Sequence, residues 1–171
     1  MNESRPDLFA LIERIGRLVA VPDRGGLSGS EASVLRYLAM ANRFSRRPVD
    51  IANYLGLSRD TARKTLKSLA TKGLITGLEA NLTVEGAQLA GDQSLGALAA
   101  EALTPREAAI LAEGLTKTLR AVLMRRGHRS FGICSTCRHH GSSANGAYCN
   151  LVKVDLLTTD IDKMCREHET A

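Results

Sequence analysis

The sequence contains no tryptophan, and it has only three phenylalanines and three tyrosines among 171 residues. A shortage of aromatic side chains argues against a β-sandwich, whereas a chain rich in leucine and alanine favours helices packed on helices. No stretch approaches the roughly 18 consecutive apolar residues that a membrane-spanning helix needs. The sequence therefore predicts a mainly α protein that is cytoplasmic and has no membrane partner.

Cysteine is absent from the first 133 residues, and all four cysteines lie in a single stretch near the C-terminus. In a reducing compartment, such a cluster favours metal ligands or sensors over a disulfide framework. No serine–histidine–acid or paired-carboxylate arrangement can be placed, and the βαβ pattern expected around a thiol-oxidoreductase CxxC is missing. The sequence thus predicts that the protein is not an enzyme.

Positive charge is concentrated in residues 43–72, which contain eight basic and two acidic residues, although the whole chain carries a net charge of only +5. A focused basic patch suits a polyanion such as nucleic acid. The alternative is a solvated helical face with no such partner.

Two short helices joined by a glycine-containing turn are predicted in this basic stretch. Pro48 suits the first turn of one helix, Gly56 suits its left-handed exit, and Ser58 can cap the next helix. The apolar side of this second helix is formed by Ala62, Leu66 and Leu69. Its basic residues fall on the opposite side, so the pair predicts a helix-turn-helix whose second helix can enter the major groove.

The flanking segments extend this fold. Ser30 is predicted to cap a helix before the helix-turn-helix, and the segments "LITGL" and "NLTV" after it predict a very short β-hairpin. The expected fold class is mainly α with a small β-wing, that is, a winged helix-turn-helix with dimerising terminal helices and a small Cys-rich C-terminal module.

Long helices are predicted at both ends of this domain. Residues 6–21 place apolar side chains at helical spacing, and Thr104, Pro105 and Glu107 form a strong helix start for residues 104–126. At about 23 residues, the second helix spans roughly 34 Å. A helix of that length in a small chain is expected to continue past its own core and pack on a partner.

The helical N-terminus, "DIANYLGLSRDTARKTLKSLATKGLI", "LTVEG" and the long second helix together resemble the MarR family of winged-helix transcription regulators over residues 6–127. The resemblance implies a homodimer joined through both terminal helices, a palindromic double-stranded DNA operator and, in many members, a small-molecule effector. Typical members carry an Asp-x-Arg motif in a longer wing, which is missing here. The recognition helix is therefore expected to supply more of the affinity.

The residues expected to bind DNA lie in and before the second helix of the helix-turn-helix. Those assigned to the groove are Ser58, Arg59, Thr61, Arg63, Lys64 and Lys67. Those assigned to phosphates at the groove edge are Arg43, Arg46 and Arg47.

The cysteines Cys134, Cys137, Cys149 and Cys165 have a spacing that allows all four to bind one metal ion. Zinc is the first expectation, because a segment this small needs a staple in place of a core. An iron–sulfur cluster and a reversible CxxC disulfide are the alternatives. His168 is an alternative ligand, whereas His139 and His140 are expected to be solvated loop residues.

We therefore expect a winged-helix DNA-binding and dimerisation domain over residues 1–127 and a cysteine-rich, metal-binding module over residues 128–171. The segments "FGIC", "CNL" and "MCREHE" of this module resemble an extension found in a subset of MarR-like regulators. The predicted function is a dimeric transcription regulator with a cysteine-liganded metal. A redox- or metal-responsive sensor and a zinc-stapled protein-interaction module are the alternatives.

Overall fold

The computed structural model describes residues 7–20, 26–91, 99, 101–126 and 131–170. The helices are α1 (Leu8–Ala20), α2 (Gly29–Met40), α3 (Pro48–Leu55), α4 (Arg59–Thr71), α5 (Val84–Gly91) and α6 (Pro105–Arg126). A two-stranded wing, β1 (Ile75–Thr76) and β2 (Asn81–Leu82), lies between α4 and α5. The predicted fold class, a mainly α winged helix-turn-helix, is confirmed.

Helix α2 begins two residues earlier than the sequence analysis predicted. Its N-cap is Ser28, whose Oγ accepts a hydrogen bond from the backbone N–H of Glu31 at 3.2 Å. The Glu31 carboxylate accepts the backbone N–H of Ser28 in return, at 2.7 Å. Because this reciprocal capping box satisfies two free amides, it displaces Ser30, which was wrongly predicted as the cap, into the first turn.

The helix-turn-helix follows the predicted signals. Helix α3 begins at Pro48 and ends at Leu55, and its C-cap Gly56 has a left-handed φ of 67° that favours glycine. Helix α4 is capped by Ser58. Ala62 and Leu69 of α4 are buried against α2 and α3. The fully buried core side chains here include Val34, Leu35, Tyr37, Leu38 and Ile51.

The wing is an antiparallel pair in which Ile75 faces Leu82 and Thr76 faces Asn81. Its position is fixed by a close approach of α5: a Cβ added at Gly86 would lie 2.0 Å from the backbone oxygen of Leu74. Only glycine allows the helix to approach that carbonyl, so α5 holds the first strand of the wing at a fixed distance.

The two terminal helices are present. Helix α1 begins at Leu8, one residue after the described Asp7, and residues 6 and 21 of the predicted 6–21 lie outside the described part of the chain. At the start of α6, Glu107 accepts the backbone N–H of Thr104 at 2.9 Å, which confirms the predicted cap. At 22 residues, α6 is about 33 Å long. No described helix is long and apolar enough to cross a membrane.

The C-terminal module consists of short elements. They are β3 (Gly132–Ile133), a 3-10 turn (Cys134–Thr136), β4 (His140–Ser143), β5 (Gly146–Cys149), β6 (Val154–Asp155), α7 (Thr158–Ile161) and β7 (Met164–Cys165). Strands β4, β5 and β6 form one antiparallel sheet, and β3 pairs with β7. The predicted domain boundary at residues 127 and 128 lies outside the described residues.

The module packs on the winged helix. The backbone N–H of Asn42, just after α2, donates to the carbonyl of Met164 at 2.9 Å, and the Met164 side chain joins the winged-helix core. Lys163 Nζ donates to the carbonyl of Ala39 at 3.0 Å. The two regions are therefore in direct contact through β7.

Candidate functional site

The start of α4 is built by a side-chain cap. Ser58 Oγ accepts the backbone N–H of Thr61 at 3.0 Å, and the two hydroxyls lie 2.8 Å apart. Ser58 is exposed and Thr61 is half-buried, so both predicted contact residues lie at the surface end of the helix. The cap fixes the direction in which the first turn of α4 points.

Four basic side chains extend from the outer face of α4: Arg59, Arg63, Lys64 and Lys67. All four are exposed. Arg63 has an acidic neighbour, Asp60, at 3.6 Å, but the two side chains are 68% and 82% exposed. An exposed pair of this kind contributes roughly 0–1 kcal/mol, so Arg63 can exchange it for a stronger anion. This face is open to a polyanion.

The three arginines before α3 are used differently. Arg46 donates to the carbonyl of Ala41 through Nε and NH2, at 3.2 and 3.1 Å, and to Asn81 Oδ1 of the wing at 2.7 Å. Burial lowers the pKa of Arg46. The residue that was predicted to contact phosphate therefore ties the end of α2 to the wing.

Arg43 faces the C-terminal module. Its guanidinium lies 3.2 Å from the carboxylate of Asp160, donates to the carbonyl of Asp155 at 2.8 Å and stacks 4.6 Å above the ring of Phe44. Arg47 pairs with the buried Asp50 at 3.0 Å but is itself 59% exposed. Of these three arginines, Arg47 is the one whose side chain is most available to a ligand.

An open basic helix held by a short α3 and followed by a wing is the geometry of a DNA-binding winged helix. Residues 25–80, the segment from before α2 to the end of the wing loop, match the family model of the MarR family. This segment of the chain is therefore a winged helix similar to the MarR family. Proteins of this family are transcription regulators and not enzymes. No curated protein and no solved structure matches the chain.

The wing of this winged-helix domain is short and carries no basic residue. Its loop is Gly77–Ala80, and Leu78 at the tip is fully exposed. Glu79 is also exposed and would face a phosphate with the same sign of charge. Because the wing lacks the arginine of the Asp-x-Arg motif, α4 is the main basic surface of the domain.

A cavity lies beside the winged helix. The spacing of the cysteines predicted only part of its lining. All four cysteines line it, and all four are free thiols. Strand pairing places His140 directly opposite Cys149, and His140 Nδ1 is 4.0 Å from Cys134 Sγ. Across the described residues, no three His, Cys, Asp or Glu side chains form a group that could hold a metal ion. The four sulfurs share a cavity without being gathered around one point.

Cys134 is the buried thiol of the four. Burial raises the pKa of Cys134 to about 11, and its neighbours Cys165, Cys149 and Cys137 add to the shift. Their influence is consistent with four sulfurs that face the same space. At neutral pH Cys134 is therefore a protonated, weakly nucleophilic thiol.

The backbone around Cys137 has features of a metal knuckle. The N–H of Cys137 donates to the carbonyl of Cys134 at 3.1 Å, which closes the CxxC turn. The N–H of Glu169 points at Cys137 Sγ from 3.4 Å. An amide directed at a sulfur stabilises a thiolate, because it places a positive dipole end beside the charge.

The histidines are placed differently from the expectation. His168 is buried outside the cavity lining, with Nε2 2.9 Å from Thr136 Oγ1 and its ring against Gly132. Burial lowers the pKa of His168. His139 and His140, expected to be solvated, line the cavity and are half-buried. The alternative ligand His168 remains an untested prediction, whereas His140 lies 4.0 Å from a sulfur and both His139 and His140 line the cavity.

Proposed function

We propose that this protein is a homodimeric transcription regulator that inserts α4 into the major groove of a palindromic operator. The observation that carries the proposal is the open basic face of α4, capped by Ser58 and free of strong internal partners. The proposed groove contacts are Ser58, Arg59, Thr61, Arg63, Lys64 and Lys67. Contacts from lysine and arginine to phosphate supply affinity that falls with salt.

Among the residues proposed for phosphate contact, Arg47 is favoured. Its side chain projects from the N-terminus of α3, whereas Arg43 and Arg46 already bind carboxylates, carbonyls and an amide of this chain. A phosphate contact by either would have to replace those bonds. Their contribution to DNA binding is therefore expected to be indirect, through the position of the wing and α3.

Dimerisation is proposed through α1 and α6, because apolar side chains are exposed along both. On α1 they are Leu8, Leu11, Ile12 and Ile15. On α6 they are Ile110, Leu111, Leu115, Leu119 and Val122. Apolar stripes of this length are unfavourable in water, and a second copy of the chain would cover both. A small-molecule effector remains a prediction.

The DNA-binding proposal can be tested on a duplex selected from a random-sequence library by the wild-type protein. Arg63→Ala and Lys64→Ala should each weaken binding and lower the slope of log K against log salt by about 2, one for each copy in the dimer. Fluorescence anisotropy at several salt concentrations measures both quantities. Lys117→Ala is the matched control, since Lys117 is an equally exposed lysine on α6. Unchanged affinity for both α4 variants would refute the placement of α4.

For the C-terminal module we propose metal coordination by Cys134, Cys137, Cys149 and Cys165, with zinc as the metal and an iron–sulfur cluster as the alternative. The shared cavity of the four sulfurs supports this, and binding would draw them together as the site folds around the ion. A bound ion would supply a structural cross-link. The raised pKa of Cys134 makes its thiol slow to oxidise, and coordination would require the ion to displace the thiol proton.

The metal proposal is tested by elemental analysis and absorption spectroscopy of the full chain purified without oxygen. About one zinc per chain, replaceable by cobalt(II) with the strong visible bands of a tetrahedral thiolate site, is the expected result. Iron with sulfide and a broad band near 400 nm would assign the cluster instead. Loss of stoichiometric metal in Cys137→Ser, with retention in the control Ser135→Ala, would assign the ligand. A protein that binds neither metal would contradict the proposal.

A further inference from the structure

The cysteine-lined cavity is not enclosed by the C-terminal module alone. Asn42 and Phe44, which follow α2 in the winged-helix domain, form part of its wall. The site proposed for the metal is thus completed by the half of the chain that binds DNA. Any group bound in the cavity would touch both regions at once.

The side-chain amide of Asn42 has an N–H donor that meets no acceptor among the described residues. Its side chain is fully buried, and its Oδ1 accepts the hydroxyl of Ser45 at 2.8 Å. Its Nδ2 has no hydrogen-bond partner among the described residues. A buried amide donor without a partner is destabilising, and native structures usually satisfy such groups. The cavity that Asn42 lines is where an acceptor can be placed.

A second buried nitrogen lies beside the same cavity. His139 Nε2 has no hydrogen-bond partner among the described residues, and a carboxylate oxygen of Glu169 lies 3.5 Å away. Asn42 and His139 come from opposite regions of the chain and share only this cavity. The buried amide donor of Asn42 beside four sulfurs is suited to a bound state that presents negative charge there. Metal-bound cysteines are deprotonated, and N–H bonds to an ionised acceptor are the strong ones.

We propose that Asn42 Nδ2 donates a hydrogen bond to a metal-bound cysteine sulfur, and that the DNA-binding domain senses metal occupancy through this contact. The inference rests on the proposed metal site and adds the residue that responds to whether metal is bound. Asn42 is a positioning residue, since it supports the ligands from outside and does not bind the ion. Groups in this position typically change metal affinity by 10- to 100-fold.

The route from the cavity to the helix-turn-helix is short. Cys165 stands between Met164, whose carbonyl accepts the N–H of Asn42, and Arg166, whose N–H donates to Ser45 Oγ at 2.9 Å. The Arg166 guanidinium bonds the carboxylate of Asp50, a fully buried residue in the first turn of α3. Helix α3 packs against α4. Metal that holds Cys165 in place therefore also holds α3, so metal loading should raise the affinity for DNA.

The first test measures zinc affinity by competition with a chromophoric chelator, using the full chain. Asn42→Asp keeps an oxygen for Ser45 but replaces the donor by a carboxylate facing thiolates, and we expect at least tenfold weaker zinc binding. Asn53→Asp, the same change at an exposed position on α3, should remain within twofold of wild type. If Asn42→Asp fails to fold by circular dichroism, Asn42→Leu, which removes the donor without adding charge, should bind zinc about 3- to 10-fold more weakly.

The second test measures DNA affinity with zinc and with zinc removed. In wild type, zinc should tighten binding to the selected duplex, and the duplex should tighten zinc by the same factor. In Arg166→Gln, zinc should still bind while its effect on DNA affinity is lost. Equal zinc affinity in wild type and both Asn42 variants, or an unchanged zinc effect in Arg166→Gln, would overturn the inference. If the wild type binds no metal, the proposed metal site and this inference are both refuted. A DNA-binding defect in Arg63→Ala would still support the proposed role of α4.

Discussion

Fifteen of the buried apolar side chains in the described part of the chain belong to residues 26–91, and three, Cys134, Leu156 and Met164, belong to residues 131–170. The winged helix is therefore stabilised by its own core, whereas the C-terminal module has short strands, few buried apolar groups and one face packed on its neighbour. Met164 even contributes to the other region's core. The difference teaches that the module depends on contacts outside itself for its stability.

The largest difference in the free energy of unfolding is expected when one leucine in each region is replaced by alanine. Leu38→Ala on α2 should lower the free energy of unfolding by about 2–5 kcal/mol, because Leu38 is fully buried in a packed core. Leu156→Ala should lower it by only about 1–2 kcal/mol, because Leu156 borders the cysteine cavity and loses fewer contacts. Urea unfolding of the full chain with metal removed measures both. Equal losses would show that the module has a core of its own.

A second contrast is the cost of adding a Cβ at two glycines, one in each region, that other atoms approach closely. At Gly86 a new Cβ would meet the backbone oxygen of Leu74, which cannot move without shifting the wing. At Gly132 it would lie 2.5 Å from the ring of His168, which is a side chain and not the backbone. Gly86→Ala is expected to cost about 2–3 kcal/mol and Gly132→Ala about 1 kcal/mol.

Thermal unfolding measures the two glycine variants under the same conditions. Gly91→Ala is a suitable control, since a Cβ there would have no atom within 4 Å. A Gly132→Ala loss as large as that of Gly86→Ala would mean that the module is packed as tightly as the winged helix.

The smallest contrast is in the response to acid. Lys72, Ser28 and Ser68 hold the Glu31 carboxylate, and the Lys72 ammonium is the largest influence, so the pKa of Glu31 falls from 4.5 to about 2. A lowered folded-state pKa stabilises the protein above the unfolded pKa, and this contribution is lost as the pH falls through 4.5 towards 2. Glu31→Gln should therefore be less stable than wild type by about 1–2 kcal/mol at pH 6. The difference should shrink towards pH 2.

Unfolding in guanidinium chloride at several pH values checks this difference. Asp155→Asn provides the comparison in the module, where hydrogen bonds from Asn145 and Ser143 lower the pKa of an exposed carboxylate. Its pH-dependent difference from wild type should be the smaller of the two. A larger effect at Asp155 than at Glu31 would reverse the proposed order of the two regions.

The helix-turn-helix could be predicted from the sequence because its signals are local. Gly56 and Ser58 mark the end of α3 and the start of α4 within three residues, and the apolar spacing of α4 shows which face is buried. The start of α2 was predicted two residues late, since the capping box of Ser28 and Glu31 competes with the equally plausible Ser30.

The surroundings of the cysteine cavity could not be predicted in the same way. Asp50 lies in a basic stretch and shows no local sign that it is buried against Arg166, 116 residues further along the chain. The preference for His168 over the loop histidines relied on its spacing from Cys165. Pairing of β4 with β5 instead brings His140 opposite Cys149, and that pairing depends on a turn whose register the sequence pattern does not specify.

The bond between Arg166 and Asp50 also sets an order of events during synthesis. At about 5–20 residues per second, a ribosome adds Arg166 roughly 6–23 s after Asp50, whereas α3 and α4 can form in microseconds. The nascent winged helix must therefore keep Asp50 hydrated, or paired only with Arg47, until β7 emerges. Docking of β7 is then the step that joins the C-terminal module to a preformed winged helix.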